Sequence, residues 1–175
     1  ALPVITAGFM TILLVKAPDI IINRDGGLVA INLGGGRVVM SPGNGNGFER
    51  DMWQRRLAVD SPDPWPSGGI DRVSRIGCDP SGCITEIAGK TVAIVSDPVS
   101  AIEDCRRADY IILLTRIPRR LCDDERVVLS TFHIWRDGAH AIRFGPEGPT
   151  VETSRERRGD RPWSRVSDKR RQYIE

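Results

Sequence analysis

Residues 19–40 read DIIINRDGGLVAINLGGGRVVM, and this stretch decides the class of the fold. Two runs rich in β-branched residues, 19–23 and 28–33, are separated by a turn with an Asp-Gly step, which is a strong hairpin signal. A triple glycine then precedes a third run at 37–40. It lacks the Lys-Ser/Thr of a phosphate-binding loop and stands between strands, so we interpret it as a second turn. The stretch therefore predicts three strands joined by hairpins.

The segments downstream predict helices beside a second group of strands. Residues 48–59 carry apolar side chains one helical turn apart and predict a short helix. Residues 61–69, SPDPWPSGG, are too rich in Pro and Gly for regular structure and predict a loop. Further strands are predicted near residues 72–78, 83–87, 91–96, 126–129, 140–144 and 150–153.

The segment between residues 97 and 114 predicts a strand-helix-strand unit. The Asp97-Pro98 step is typical of a helix start, and Val99, Ile102 and Cys105 would then share one face. The apolar run YIILL at 110–114 predicts a buried strand with layers on both of its sides. A helix between two such strands indicates a βαβ-like unit and an α+β fold class.

The composition is that of one globular domain followed by a basic tail. The chain has 175 residues with 40% hydrophobic and 27% charged side chains, which excludes a disordered protein. The net charge of +2 says little about partners, but residues 155–171 hold eight Arg or Lys against three Asp or Glu. Such a tail suits the phosphate groups of nucleic acid or lipid, and a solvated terminus is the alternative.

The first residues are apolar and uncharged from 2 to 15, and Lys16 follows. This run is too short to cross a bilayer, which takes about 20 residues, and it lacks the features of a signal peptide. We interpret residues 1–17 as the end of a truncated transmembrane helix, with a buried segment of a soluble domain as the alternative. The expected organisation is then a domain at 18–154 and a basic tail at 155–175.

The four cysteines fall as two close pairs. Cys78 and Cys83 flank a predicted hairpin turn, and Cys105 and Cys122 flank the buried strand. We expect two disulfides with these pairings, which would indicate an oxidising compartment. Free buried thiols and a zinc site remain alternatives, although the wide second spacing does not supply a zinc knuckle.

No pattern of residues indicates a catalytic site, a metal site or a cofactor. The chain has two histidines, His133 and His140, without the clustered His and Asp ligands that a metal hydrolase needs. There is no GxSxG nucleophile elbow, and paired cysteines favour structure over a Cys/His nucleophile. An enzyme is therefore the less favoured interpretation.

Six phrases along the chain carry a resemblance to a known family. In order they are APDIIINRDGGLVAIN (17–32), GFERDMWQRRL (47–57), CDPSGC (78–83), DCRRADYIIL (104–113), HIWRDGAHAIRF (133–144) and RRGDRPW (157–163). Together they resemble the C-terminal region of alphaproteobacterial ComEC competence proteins, which are multi-span inner-membrane proteins of DNA uptake. The resemblance covers nearly the whole chain from residue 18 to 163.

The resemblance implies a shortened metallo-β-lactamase-like β-sandwich with a few flanking helices. In that family the metal site reads HxSHxDxDH, and no such run occurs in this chain. The implied function is a non-catalytic C-terminal domain of a DNA-uptake channel. The alternatives are a metal-dependent hydrolase or nuclease with an unrecognised site, and a purely structural domain.

The resemblance also implies two partners, single-stranded DNA and the membrane-embedded remainder of the same protein. DNA contact is expected to be weak and independent of sequence, because it would rest on phosphate neutralisation with one stacking side chain. Lys16 favours the cytoplasmic side of the inner membrane by the positive-inside rule, but a single Lys is a weak signal. The cysteine pairs outweigh it, so we expect the domain on the periplasmic side of the inner membrane. The oligomeric state is left open. The candidate DNA contacts are Arg155, Arg157, Arg158, Arg161, Trp163, Arg165, Lys169, Arg170 and Arg171.

Overall fold

The computed structural model describes residues 16–43, 47–66, 69–71, 75–118, 121–122, 124–159 and 161. In chain order the strands are β1 (Ile20–Ile22), β2 (Val29–Gly34), β3 (Arg37–Met40), β4 (Asp63–Pro64), β5 (Gly69–Asp71), β6 (Ile76–Asp79), β7 (Gly82–Ile87), β8 (Lys90–Val95), β9 (Tyr110–Leu113), β10 (Val127–Leu129), β11 (His140–Gly145) and β12 (Gly148–Thr153). The α-helices are α1 (Gly47–Leu57), α2 (Ala101–Arg107), α3 (Thr131–Asp137) and α4 (Ser154–Arg158), and a 3-10 turn spans Asp124–Arg126.

The first sheet has the strand order β12-β11-β1-β2-β3-β4. Its centre is the predicted pair of hairpins, in which β1, β2 and β3 run antiparallel. The turn between β1 and β2 closes where Asn23 N–H donates to Leu28 O at 3.0 Å. Gly26 takes a φ of +75° there, which favours glycine. The Asp-Gly signal therefore placed the first hairpin correctly.

The second sheet has the order β10-β9-β8-β7-β6-β5. Strands β5 to β8 pair antiparallel, whereas β9 lies parallel to both β8 and β10. The chain leaves β8, passes through α2 and returns in β9, so the predicted βαβ-like unit is confirmed.

The alternation of side chains sorts the molecule into four layers. Ile20 and Ile22 of β1 join Ile94 of the second sheet in a core between the two sheets. Ile21 points to the opposite face of the first sheet and packs with Trp53 of α1. On the far side of the second sheet, strands β8 and β9 pack against α2. The order of layers is α1, first sheet, second sheet, α2, and the predicted α+β class is confirmed.

Helix α2 begins later than the sequence predicts. Asp97 does not cap it, because its Oδ1 accepts the N–H of Val99 at 2.7 Å and closes a local turn. The helix starts at Ala101, and its buried face consists of Ala101 and Cys105. The predicted face was wrong for Val99 and Ile102, which are 79% and 49% exposed.

Two other segments also differ from the sequence prediction. The loop predicted at 61–69 contains strand β4, which pairs parallel with β3, and Asp63 binds Arg37 at 3.0 Å. Strand β4 is an edge strand and contains Pro64. A proline is tolerated on an edge strand because it has no N–H to donate to a neighbouring strand. Helix α4, which was not predicted, contains the boundary expected between domain and tail at residue 154.

Among the described residues, no helix combines the length and the hydropathy that a membrane crossing requires. The apolar run at 2–15, interpreted above as the end of a transmembrane helix, lies outside the described residues.

Candidate nucleic-acid interface

The arginines predicted to contact DNA are divided between a short helix and the end of the chain. Arg155, Arg157 and Arg158 lie on α4, and Arg161 follows it. The remaining candidates lie outside the described residues; they are Trp163, Arg165, Lys169, Arg170 and Arg171.

Helix α4 forms because both of its ends are capped. Thr153 Oγ1 accepts the N–H of Glu156 at 3.1 Å, and Glu156 Oε2 accepts the N–H of Thr153 at 2.9 Å. This reciprocal pair is a capping box, which satisfies amide groups that a helix start leaves open. Gly159 ends the helix at a φ of +69°. The caps fix α4 to the end of β12, so its arginines have defined neighbours.

Two acidic residues hold the α4 arginines in place. Glu152 binds Arg157 and also accepts from Arg143 at 3.2 Å. These two guanidinium groups, Arg157 first, lower the pKa of the Glu152 carboxyl. Asp137, at the end of α3, lies 3.8 Å from Arg155. Because the Arg155 and Arg157 side chains stay 50% and 60% exposed, these pairs orient the arginines more than they stabilise the fold.

A cleft of about 390 Å³ lies between α1 and α4, on the outer face of the first sheet. Ile21 and Ala141 belong to its floor, and Met52 and Trp53 of α1 add apolar surface. The cationic residues that line it are Arg55, Arg56 and Arg157.

The cleft carries an excess of positive charge. Arg55 and Arg56 occupy the last turn of α1 and are exposed, and their guanidinium groups have no ion pair or hydrogen bond to any residue that the structure describes. Glu152 is the acidic residue of the lining, and it is already bound to arginine. Guanidinium groups above an apolar floor suit a ligand that combines a phosphate with a flat apolar group.

Sequence reasoning missed Arg55 and Arg56. They were visible as QRRL at the end of a predicted helix, but a pair of arginines there is ordinary because cations favour a helix C-terminus. Their relation to Arg157 depends on a contact between segments about one hundred residues apart, which no local pattern shows.

Both predicted disulfides are present, and no cysteine is free. Cys78 and Cys83 are direct partners across β6 and β7, with 4.1 Å between their Cα atoms. Cys105 of α2 is bonded to Cys122, at a Cα separation of 5.1 Å. The alternatives of free thiols and of a zinc site built from these cysteines are therefore wrong.

Each of the two histidines is engaged with its own segment, His133 at the start of α3 and His140 at the start of β11. Nδ1 of His133 accepts the N–H of Ser130 at 3.1 Å, and Nδ1 of His140 lies 2.7 Å from the carbonyl oxygen of Gly138. Burial lowers the pKa of both imidazoles. Within the described ranges, no three His, Cys, Asp or Glu side chains are grouped so that they could hold a metal ion.

A scan against protein-family models, a search of curated proteins and a search of solved structures each gave no match for this chain.

Proposed function

We propose that this chain is a non-catalytic C-terminal domain of a ComEC-type inner-membrane channel for DNA uptake, and that it contacts single-stranded DNA in the cleft between α1 and α4. The observation that carries the DNA contact is the pair Arg55 and Arg56, two cations without a partner among the described residues, across the cleft from Arg157. Phosphates of a passing strand would supply the missing anions.

The family part of the proposal rests on the six ordered phrases and is supported by the layered architecture. A sandwich with helices on both outer faces is what a metallo-β-lactamase-like domain would form. The sequence lacks the HxSHxDxDH run, so we propose a domain that has kept the scaffold without the hydrolase chemistry.

The proposed location is the periplasmic face of the inner membrane. Its support is the presence of two disulfides, which persist in oxidising compartments. In this arrangement the segment before Lys16 would continue into the membrane. Lys16 Nζ donates to Phe144 O at 3.2 Å, and Arg143 donates to Lys16 O at 3.0 Å, so the membrane would lie at the β11–β12 turn.

A titration of fluorescently labelled oligo-dT in low salt tests the DNA contact. The variant Arg55→Gln/Arg56→Gln should bind several-fold more weakly than wild type, because it removes two unpaired cations from the cleft. The matched control is Arg106→Gln/Arg107→Gln, which neutralises two consecutive arginines in the last turn of α2, on the opposite outer face. Equal losses in the two variants, or no binding by wild type, would contradict the cleft as a DNA site.

The same preparations test the non-catalytic assignment. We expect oligo-dT to remain intact with added Zn²⁺, Mn²⁺ or Mg²⁺, and we expect dialysed protein to hold much less than one metal ion per chain. Cleavage that depends on added metal and stops with a chelator would support the hydrolase alternative instead.

A further inference from the structure

Helix α3 presents an aromatic surface to solvent. Phe132 is 44% exposed, and its ring centroid lies 5.9 Å from that of the half-buried Trp135, one helical turn away. The guanidinium carbon of Arg136 lies 5.3 Å from the centre of the Phe132 ring. We call Phe132, Trp135 and Arg136 the aromatic surface.

The fold fixes this surface on the outside. Ile134 is the buried residue of α3 and packs against the core between the sheets. It lies under the β1–β2 turn, where a Cβ on Gly26 would be 3.6 Å from its Cδ1. Because Ile134 anchors one side of the helix, Phe132 is directed away from the core. An exposed ring beside a second aromatic is a feature of binding surfaces.

The aromatic surface borders a depression that adjoins the cationic cleft. The depression is lined by Arg136, Asp137, Arg155 and Glu156, and it shares Thr153 with the cleft. Asp137 binds Arg136 at 2.7 Å and lies 3.8 Å from Arg155, so this carboxylate links the arginine over the Phe132 ring to helix α4. A path from the cleft to Phe132 therefore passes Arg155 and Arg136 together with the acidic side chains Asp137 and Glu156.

We infer that the aromatic surface stacks a nucleobase of the same single strand whose phosphates lie in the cleft. This inference rests on the proposed DNA contact, and it adds a site for a base to the site already proposed for the phosphates. Bases are free to stack on a protein ring only when they are unpaired, and stacking does not depend on sequence. The site would therefore select single-stranded over double-stranded DNA.

Two observations favour a nucleic acid over other occupants of the aromatic surface. The three arginines of the adjoining cleft complement phosphate, whereas a purely apolar partner on the aromatic surface would have to desolvate Arg136. Lys16, which follows residues 1–15, contacts Phe144 near one end of β11. Helix α3 leads into the other end of β11, and at about 3.4 Å per residue the distance from His140 to Phe144 is about 14 Å. If residues 1–15 enter a membrane, the aromatic surface lies near the end of β11 that is farther from it.

The test compares three ligands with the full 175-residue chain: oligo-dT, an oligonucleotide of the same length whose central nucleotides are abasic, and a duplex. Wild type should bind oligo-dT most tightly. Phe132→Ala should weaken oligo-dT binding about five- to a hundredfold, in the range measured when a stacking aromatic is removed, and should leave binding of the abasic strand unchanged. Phe132→Tyr, which keeps the ring, should retain wild-type affinity.

Two further variants keep the result decisive. Phe132→Leu retains the apolar bulk but has no aromatic face, so it should also bind oligo-dT more weakly than wild type. It thereby separates the loss of stacking from any disturbance of α3 in Phe132→Ala. Phe48→Ala removes a 76% exposed phenylalanine outside the path and should bind like wild type. If Arg55→Gln/Arg56→Gln weakens binding while all Phe132 variants match wild type, the stacking inference is overturned and the DNA contact stands. If wild type binds no DNA, both are overturned.

Discussion

The side chain of Asn23 joins the first hairpin to helix α1 through Glu49. Asn23 Nδ2 donates to Glu49 Oε2 at 3.0 Å, while its Oδ1 accepts the N–H of Leu28 at 3.1 Å. Asn23 is only 1% exposed, and its bond with the Leu28 amide is buried, whereas its bond to Glu49 is partly buried. One buried amide thus connects β1, β2 and the helix that carries Arg55 and Arg56.

We expect Asn23→Ala to lower the free energy of unfolding by about 1–3 kcal/mol, because it leaves the buried Leu28 N–H without this acceptor. Urea unfolding followed by circular dichroism measures the change. Glu49→Gln is the matched control, since its amide oxygen still accepts from Asn23, and it should cost less. A larger loss for Glu49→Gln than for Asn23→Ala would contradict the role given to the Leu28 amide.

The same hairpin shows how much of the fold local sequence predicts. Its Asp-Gly turn placed β1 and β2 within one residue of their observed bounds, because turn chemistry and the alternation of apolar residues act locally. The start of α2 was wrong because Asp97 has two competing options, a helix cap and a local turn, and the structure uses the turn.

The candidate site was only half predictable. Arg155, Arg157 and Arg158 stand out in sequence as a dense cluster, but Arg55 and Arg56 become relevant only because the sheet brings α1 beside α4. Phe132 and Trp135 have the spacing of neighbours on a helix, yet an aromatic pair at that spacing is more often core. The burial of Ile134 between them decides which side of α3 faces solvent.

The two disulfides should differ in their contributions to stability. The Cys105–Cys122 bond closes a sequence separation of 17 and the Cys78–Cys83 bond one of 5. In the chain-entropy model these correspond to about 3 and about 2 kcal/mol. We expect Cys105→Ala/Cys122→Ala to unfold at lower urea concentration than Cys78→Ala/Cys83→Ala. The reverse order would show that strand pairing around β6 and β7 outweighs loop closure.

Stability should fall on mild acidification because of His140. The residue is 2% exposed, and burial lowers the pKa of its imidazole below the usual 6.5 despite the opposing effects of the hydrogen bond to Gly138 O and of Asp137 and Glu156. Nearby His133 lowers it as well. The unfolded chain therefore takes up a proton near pH 6.5 while the folded chain does not, so the free energy of unfolding decreases as the pH falls below that value.

The measurement is urea unfolding at several pH values between about 7 and 5, where histidine is the side chain that ordinarily titrates. His140→Asn replaces Nδ1 with an amide nitrogen that can still donate to Gly138 O, and it should flatten the pH dependence. His133→Asn should remove a smaller part of it, since His133 is less buried. An unchanged slope in His140→Asn would contradict a buried neutral imidazole. The Asp137 carboxyl, whose pKa Arg136 lowers, contributes only at more acidic pH.

The salt dependence of DNA binding should separate the basic tail from the cleft. A chain that ends after Arg161 keeps α4 and its ion pairs but lacks the four cations Arg165, Lys169, Arg170 and Arg171. For single strands, each neutralised phosphate contributes about 0.7 to the slope of log affinity against log salt, so this truncation should make the slope shallower by as much as about 3. A chain that ends after Thr153 also loses Arg155, Arg157, Arg158 and Arg161, together with one wall of the cleft, and its slope should be shallower still. Only a cation that neutralises a phosphate releases counterions and so contributes to the slope. Equal slopes for the full chain and the chain ending after Arg161 would therefore assign the electrostatic contact to the cleft alone.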